Sequence, residues 1–232
     1  MKSTETDIQW KKIFSALEKW RKSLGETEPA VQEVAGFEET RKPVFSERPW
    51  VILVSTILSL RTKDDVTVRT SRALLEKAPC PEKLLALGIK KTAKLAYPAG
   101  FYKTKAENLN KIAAILLEQY KGKVPDDMEK LLELPGVGRK TANLVLTEAY
   151  GKPGICVDIH VHRISNRCGW VSTSAPEKTE MRLREILPRR FWIRINYLLV
   201  LYGQRLCRPI SPHCSKCVIP DYCGKCGVEK SR

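Results

Sequence analysis

The amino-acid sequence predicts an all-α fold. Apolar residues recur at helical spacing along almost the whole chain of 232 residues, and signals for β-strands are weak. Proline and glycine interrupt the pattern at roughly regular intervals, without a long flexible linker or a low-complexity run. Because a chain of this length can bury a sizeable core, we expect the helices to pack together compactly.

Two apolar segments define the first predicted helices. Residues 7–24 keep their apolar side chains on one face, and Gly25 follows as a stop. That face consists of Trp10, Ile13, Phe14, Leu17 and Leu24. Residues 49–60 (PWVILVSTILSL) contain branched residues typical of strands. Their length and leading proline nevertheless favour a helix that is buried on most sides.

Capping boxes predict two further helix starts. Thr104 with Glu107 opens the segment TKAENLNKIAAILLEQY, and Ser174 with Glu177 precedes TEMRLREIL. In both cases the hydroxyl is expected to accept a hydrogen bond from a backbone N–H group of the first turn.

The charge balance predicts a polyanionic partner. The chain has 41 Lys plus Arg against 26 Asp plus Glu, which gives a formal net charge of +15. A basic surface without such a partner is the alternative. No apolar run is long enough to span a bilayer, and no export segment leads the chain. With Cys80, Cys156 and Cys168 scattered singly, we expect a cytoplasmic, nucleoid-associated protein with reduced thiols.

Four cysteines near the C-terminus predict a metal centre. Cys207, Cys214, Cys217 and Cys223 form the pattern C-x6-C-x2-C-x5-C. A disulfide knot does not suit a reducing compartment, whereas zinc and an iron–sulfur cluster both accept four thiolates. Spacing alone leaves these two alternatives open. Cys226 adds a second C-x2-C pair with Cys223, and we interpret it as a spare thiol.

A glycine turn in the middle of the chain predicts a phosphate site. The segment LLELPGVGRKTANLVLTEAYG predicts a helix, a tight turn and a second helix that begins near Arg139. Gly136 and Gly138 allow N–H groups to converge on one anion at the positive end of that helix. Because Arg139 and Lys140 follow, a DNA backbone fits better than a free nucleotide. The alternative is a turn that needs glycine for geometry only.

These motifs together resemble the endonuclease III family of helix-hairpin-helix DNA glycosylases. The resemblance rests on LPGVGRKTAN, VDIHVHRISNR, the cysteine loop, LSLRTKD at residues 58–64 and GFYKTKAENL at residues 100–109. It implies two helical lobes that flank a DNA-binding cleft. One lobe is a six-helix, barrel-like domain at residues 42–152 that ends in the helix-hairpin-helix. The other combines residues 1–41 with residues 153–232 and contains the cysteine loop.

The same resemblance implies the cofactor and the catalytic pair. Cys207, Cys214, Cys217 and Cys223 would hold a 4Fe-4S cluster, with zinc as the alternative. Lys140 would attack the sugar as a free amine, a form that the helix end and Arg139 favour. Asp158 would act across the cleft as a base or by stabilising positive charge on the sugar. Alternatively, Lys140 contacts a phosphate. Asp158 is also a candidate cap for the helix at residues 159–167, a role that can replace the catalytic one or coexist with it.

Other DNA contacts also follow from the resemblance. Arg61 stands where better-known members have a glutamine that enters the space left by the extruded base, and Phe101 matches a bulky apolar wedge. A core position is the alternative for Phe101. Lys105 and Arg139 are expected to contact phosphates, and His160 to orient the site. We expect Arg205, Arg208 and Lys216 of the cysteine loop to face the DNA backbone as well.

The predicted function is therefore a bifunctional DNA glycosylase and apurinic/apyrimidinic lyase. It would act as a monomer on double-stranded DNA that contains oxidised pyrimidines, such as thymine glycol, or abasic sites. Adenine and thymine mismatch glycosylases of the same superfamily are alternatives, although by resemblance they lack a lysine at position 140. A DNA-binding protein without enzymatic activity, held together by structural zinc, is the alternative from another class.

Overall fold

The computed structural model describes residues 8–25, 27–40 and 48–232. All regular secondary structure in these residues is helical, which confirms the predicted all-α class. The chain forms two compact units, Glu28–Gly154 and the combination of Met1–Thr27 with Ile155–Arg232. Among the described residues, no helix is both long and apolar enough to span a lipid bilayer.

The middle unit is built around one deeply buried helix. Its helices are α2 (Ala30–Thr40), α3 (Arg48–Ser59), α4 (Asp64–Lys77), α5 (Pro81–Ala96), α6 (Tyr102–Tyr120), α7 (Met128–Leu132) and α8 (Arg139–Tyr150). Every residue of α3 from Trp50 to Leu58 is buried, because α2, α4, α6 and α8 all pack on it. The branched run at residues 49–60 is therefore a helix, as predicted, with Pro49 in its first turn.

The second unit has an aromatic core. Its helices are α1 (Trp10–Lys22), α9 (Ile159–Arg167), α10 (Pro176–Ile186) and α11 (Trp192–Arg205). The rings of Phe14 and Phe191 stack with centroids 4.2 Å apart, and those of Trp10 and Trp170 meet at 5.1 Å. The predicted apolar face of α1 thus packs against the C-terminal part of the chain. Asp7, where that helix was predicted to start, lies outside the described residues.

The two predicted capping boxes are wrong. Helix α6 begins at Tyr102, so Thr104 lies inside its first turn, and the N-cap is Phe101 in the left-handed conformation. Helix α10 begins at Pro176, and neither helix start has a side-chain cap. In α10 the proline fixes a helical φ at the first position and so sets the start.

The boundary between the units differs from the one expected at residues 41 and 42, which lie outside the described residues. In the structure the chain passes from one unit to the other between Thr27 and Glu28. The reason is that α2 packs on α3 and α4 and thereby extends the middle unit toward the N-terminus.

Candidate active site and cysteine loop

The helix-hairpin-helix consists of α7, a turn at residues 133–138 and α8. Asp127 caps α7, because its Oδ1 accepts hydrogen bonds from the N–H groups of Glu129 and Lys130 at 3.0 and 3.1 Å. Gly136 has a φ of 79°, and a Cβ at this position would collide with the Asn108 side chain of α6. The left-handed backbone conformation therefore favours glycine here, and any side chain would also require Asn108 to move.

Gly138 has a different role from the one expected. It is the N-cap of α8 with extended backbone angles, φ −100° and ψ 178°, which any residue can adopt. Arg139 and Lys140 are the first two residues of α8, as the sequence predicted. Both are half-buried, and they lie where the backbone N–H groups of the helix point outward.

Asp158 caps α9. Its Oδ1 accepts hydrogen bonds from the N–H groups of His160 and Val161, each at 2.9 Å. The capping interpretation is thus confirmed. Among the described residues both capping bonds end on Oδ1, so capping leaves Oδ2 for another partner. Ile159 follows as the first residue of α9 with its side chain 70% exposed.

Two histidines tie α9 to its neighbours. Nδ1 of His160 lies 3.1 Å from Nη2 of Arg163, and a Cβ at Gly203 of α11 would collide with both side chains. Nδ1 of His162 lies 2.6 Å from Oγ1 of Thr179 in α10. This packing favours an orienting role for His160.

The four predicted ligands Cys207, Cys214, Cys217 and Cys223 line one small cavity of about 20 Å³. Cys226 is exposed and lies on a different groove, which fits its interpretation as a spare thiol. Among the described residues, no three His, Cys, Asp or Glu side chains converge closely enough to hold a metal ion. Zinc and an iron–sulfur cluster both accept four thiolates, so the cavity is compatible with either.

Hydrogen-bond donors surround the cysteine sulfur atoms. Nη1 of Arg167 donates to Sγ of Cys207 at 3.3 Å, and the Tyr202 hydroxyl lies 3.0 Å from Sγ of Cys217. Burial raises the pKa of Cys207, and Arg167 opposes this effect. A hydrogen bond from Cys168 lowers the pKa of Cys223 to about 6. Donors of this kind stabilise thiolates, the form in which cysteine binds metal.

Arg61 and Phe101 form a pair on the surface of the middle unit. Cζ of Arg61 lies 5.5 Å from the centroid of the Phe101 ring, and both residues have left-handed backbone angles, with φ of 52° and 56°. The Phe101 side chain is 63% exposed, which argues against the core alternative. We call these two residues the surface pair.

Lys105 does not have the position expected of a phosphate contact. It is only 6% exposed, and its Nζ donates to the carbonyl of Leu58 at 2.8 Å, the carbonyl of Leu60 at 2.6 Å and Oγ1 of Thr62 at 2.9 Å. Burial lowers the pKa of Lys105 to about 8, so the ammonium form still predominates at pH 7. The Lys105 side chain therefore hydrogen-bonds the carbonyl groups at the C-terminal end of α3, next to Arg61. The prediction that Lys105 contacts a phosphate is corrected accordingly.

Sequence reasoning missed several residues of these sites. The roles of Arg167, Cys168 and Tyr202 depend on contacts with the cysteine loop from distant positions, for which a single sequence has no signal.

Comparison with known proteins places these features in a family. Residues 54–189 match the model of the HhH-GPD superfamily of base excision DNA repair proteins. The chain is 46% identical over 175 residues to endonuclease III of Thermotoga maritima, covering 75% of this chain and 82% of that protein. It is 41% identical over 226 residues to the chloroplastic endonuclease III homolog 2 of Arabidopsis thaliana, covering 92% of this chain and 57% of that longer protein.

Solved structures of endonuclease III bound to DNA have the same fold. A non-covalent endonuclease III–DNA complex superposes with a TM-score of 0.77 at 29% identity, covering 94% of this chain and 96% of that one. A trapped endonuclease III–DNA covalent intermediate, an estranged-adenine complex, superposes with a TM-score of 0.73 at 31% identity and covers 84% and 93%.

The position of Lys105 predicts a local effect of its removal. In Lys105→Met the Thr62 hydroxyl loses the ammonium donor, although it still accepts a hydrogen bond from the Gly100 N–H at 3.1 Å. We expect the loop to loosen and the Gly100 amide to exchange hydrogen about tenfold faster, as for the loss of one charged hydrogen bond. Native-state hydrogen exchange measures this. Lys103→Met, on the exposed face of the same helix, is the control, and equal exchange in both variants would contradict the assigned role.

Proposed function

This chain belongs to the HhH-GPD superfamily of base excision DNA repair proteins and, within it, to the endonuclease III family, so it is a DNA glycosylase and lyase; on this premise we propose that it excises oxidised pyrimidines with Lys140 as nucleophile. The observation that carries the proposal is the position of Lys140 in the first turn of α8, directly after the Gly136 turn. At that helix end a DNA phosphate binds to outward-pointing N–H groups, which brings the neighbouring sugar to the lysine.

The proposed reaction breaks three bonds of the nucleotide in turn. The free amine of Lys140 attacks the anomeric carbon, and the bond to the base breaks with its electron pair leaving on the protonated base. The attached nitrogen then loses a proton, the ring oxygen gains one, and the bond between the ring oxygen and the anomeric carbon breaks, so that the opened sugar is held as an iminium. The iminium acidifies the neighbouring carbon of the sugar. Loss of that proton expels the 3′ phosphate, so one lysine serves both the glycosylase and the lyase activity. A glycosylase that activates water needs no amine nucleophile at this position.

Asp158 is proposed to complete the catalytic pair. A carboxylate held by two backbone N–H groups through Oδ1 has a fixed orientation. Its other oxygen, Oδ2, can act as a base that takes a proton from the Lys140 ammonium. It can also stabilise the positive charge that develops on the sugar. The proposal requires Lys140 and Asp158 to reach the same nucleotide of the bound DNA.

The surface pair is proposed to fill the space that the extruded nucleotide leaves. An aromatic ring with most of its area in water gains contacts when it enters a base stack, and the adjacent guanidinium supplies hydrogen bonds to the opposite base. Oxidised pyrimidines are the proposed substrates because loss of aromatic stacking lowers the cost of extruding them.

A 4Fe-4S cluster is the proposed cofactor, with Cys207, Cys214, Cys217 and Cys223 as its ligands. When bound, it would supply a rigid link between distant parts of the loop. Arg167 and Tyr202 support this proposal because their donors point at ligand sulfur atoms. The cluster has no step in the reaction proposed here, since none of its ligands is Lys140 or Asp158.

Borohydride trapping tests the role of Lys140. We expect the wild-type protein to form a covalent adduct with duplex DNA that contains an abasic site, because reduction fixes the Schiff base. Lys140→Ala should form none and still bind the duplex. Lys11→Ala, which removes an exposed lysine of α1, is the control for loss of charge. An adduct of normal yield with Lys140→Ala would overturn the assignment.

The Asp158→Asn variant distinguishes the role of Asp158 as a helix cap from its role as a charged catalytic group. Asparagine caps helices about as well as aspartate, so the unfolding temperature should hardly change. Excision of thymine glycol should fall by about 100-fold or more because the carboxylate is lost. Asp127→Asn is a matched control, since Asp127 caps α7 through the same pair of bonds. If excision by the Asp158 variant equals that of the control, Asp158 is a helix cap only.

Cysteine variants test the proposed ligand set. Cys226→Ser should retain the visible absorbance and about four iron atoms per chain, because four other thiolates suffice. Cys217→Ser should lose both. The measurements are iron and sulfide content together with the absorption spectrum of the purified protein. Equal iron loss in the two variants would show that Cys226 is a ligand.

A further inference from the structure

We propose that Cys168 is a reserve ligand of the metal centre, which binds in place of Cys223 when the bond to Cys223 opens. The inference rests on the proposed function only through its cofactor, and not on the proposed reaction. It adds a fifth thiol to a site for which the cysteine pattern supplies four, and it gives a role to a cysteine that stands alone in the sequence.

Cys168 lines the same cavity as the four proposed ligands. Its side chain is only 7% exposed, and its thiol is hydrogen-bonded to the sulfur of Cys223. A buried cysteine often acts as no more than a small apolar residue. Cys168 differs from this case because its thiol lies beside a proposed ligand in the wall of the cavity.

Backbone hydrogen bonds hold Cys168 and Cys223 side by side. The Gly224 N–H donates to the carbonyl of Cys168 at 3.1 Å. The Cys226 N–H donates to the carbonyl of Arg167 at 2.8 Å. Both bonds join the C-terminal end of α9 to the end of the cysteine loop. The proximity of the two thiols therefore follows from the backbone and does not depend on a single side-chain rotamer.

The ligand exchange balances without an oxidant or a reductant. The Cys223 sulfur leaves its iron atom with the bonding electron pair, and the Cys168 sulfur donates an electron pair to the same iron atom. The proton of the Cys168 thiol passes to the released Cys223 thiolate, so no atom changes its oxidation state. Because Cys168 is held beside the position that Cys223 leaves, its sulfur competes with water at a high effective concentration.

Cys226 is the rival for this role, because it follows Cys223 by only three positions. Its side chain is exposed and lines a different groove. Cys226 would therefore have to change its conformation to reach the cavity, whereas Cys168 already lines it. An exchange with Cys168 would also keep the loop attached to α9.

The iron content of alanine variants tests the proposal, since alanine has no side-chain atom that can bind iron. We expect Cys223→Ala to retain most of the wild-type iron, because Cys168 supplies the fourth thiolate. Cys217→Ala should lose its iron, because the neighbour of that sulfur is the Tyr202 hydroxyl and not a thiol. The double variant of Cys168→Ala with Cys223→Ala should lose iron as completely as Cys217→Ala.

Two controls accompany these variants. Cys168→Ala alone should keep about four iron atoms per chain and the wild-type helix content, which shows that loss of the buried thiol does not prevent folding. The double variant of Cys226→Ala with Cys223→Ala should retain iron like Cys223→Ala. Equal iron loss in Cys223→Ala and Cys217→Ala would overturn the proposal. Iron loss in Cys168→Ala alone would also overturn it, as would loss that requires removal of Cys226 rather than Cys168.

The metal content of the wild-type protein separates this proposal from the proposed cofactor. If the wild type contains zinc instead of iron, the cluster assignment fails, and the zinc content of the same variants then supports or overturns the role of Cys168. A wild-type protein that binds neither metal would overturn both. Borohydride trapping reports separately on the proposed reaction.

Discussion

Backbone groups at helix ends have no partner within the helix. The two proposed catalytic residues and the buried Lys105 each lie at such an end. Asp158 accepts hydrogen bonds from the N–H groups at the start of α9, and Lys140 lies in the first turn of α8. Lys105 donates to the carbonyls at the end of α3. Because a group that satisfies the backbone cannot leave without cost, Asp158 and Lys105 are held more firmly than ordinary surface charges.

Helix α9 also holds the cysteine loop, because its side chains donate hydrogen bonds to backbone carbonyl groups of the loop. Arg163 donates to the carbonyl of Cys207, and Arg167 donates to the carbonyls of Arg208 and Pro209 at 2.7 and 2.9 Å. One short helix therefore has the Asp158 carboxylate at its first end and holds the loop through its later turns. A cluster that stiffens the loop would also fix α9, and so affect the orientation of the carboxylate without taking part in the reaction.

Local signals predicted much of this architecture, and the failures have physical causes. Glycine, proline and aspartate act on their own backbone, so the start of α8, the helical state of residues 49–60 and the Asp158 cap followed from sequence. The Thr104 capping box failed because a close backbone contact at Gly100 fixes the chain just before α6. Lys105 was misassigned because its acceptors lie more than forty positions earlier in the chain, and a sequence shows a charge but not its burial.

The backbone conformation of the surface pair is unfavourable by itself, and neighbouring groups hold it in place. A left-handed backbone at a residue other than glycine is uncommon and costs about 1 kcal/mol or more, and Arg61 and Phe101 both adopt it. Exposure of most of the Phe101 ring adds an unfavourable contact with water. Such positions persist only where surrounding groups impose them, as Lys105 and Gly100 do here. Neither side chain belongs to a core, and under the proposed function a base stack opened by extrusion would offer an apolar surface to the Phe101 ring and hydrogen-bond acceptors to Arg61.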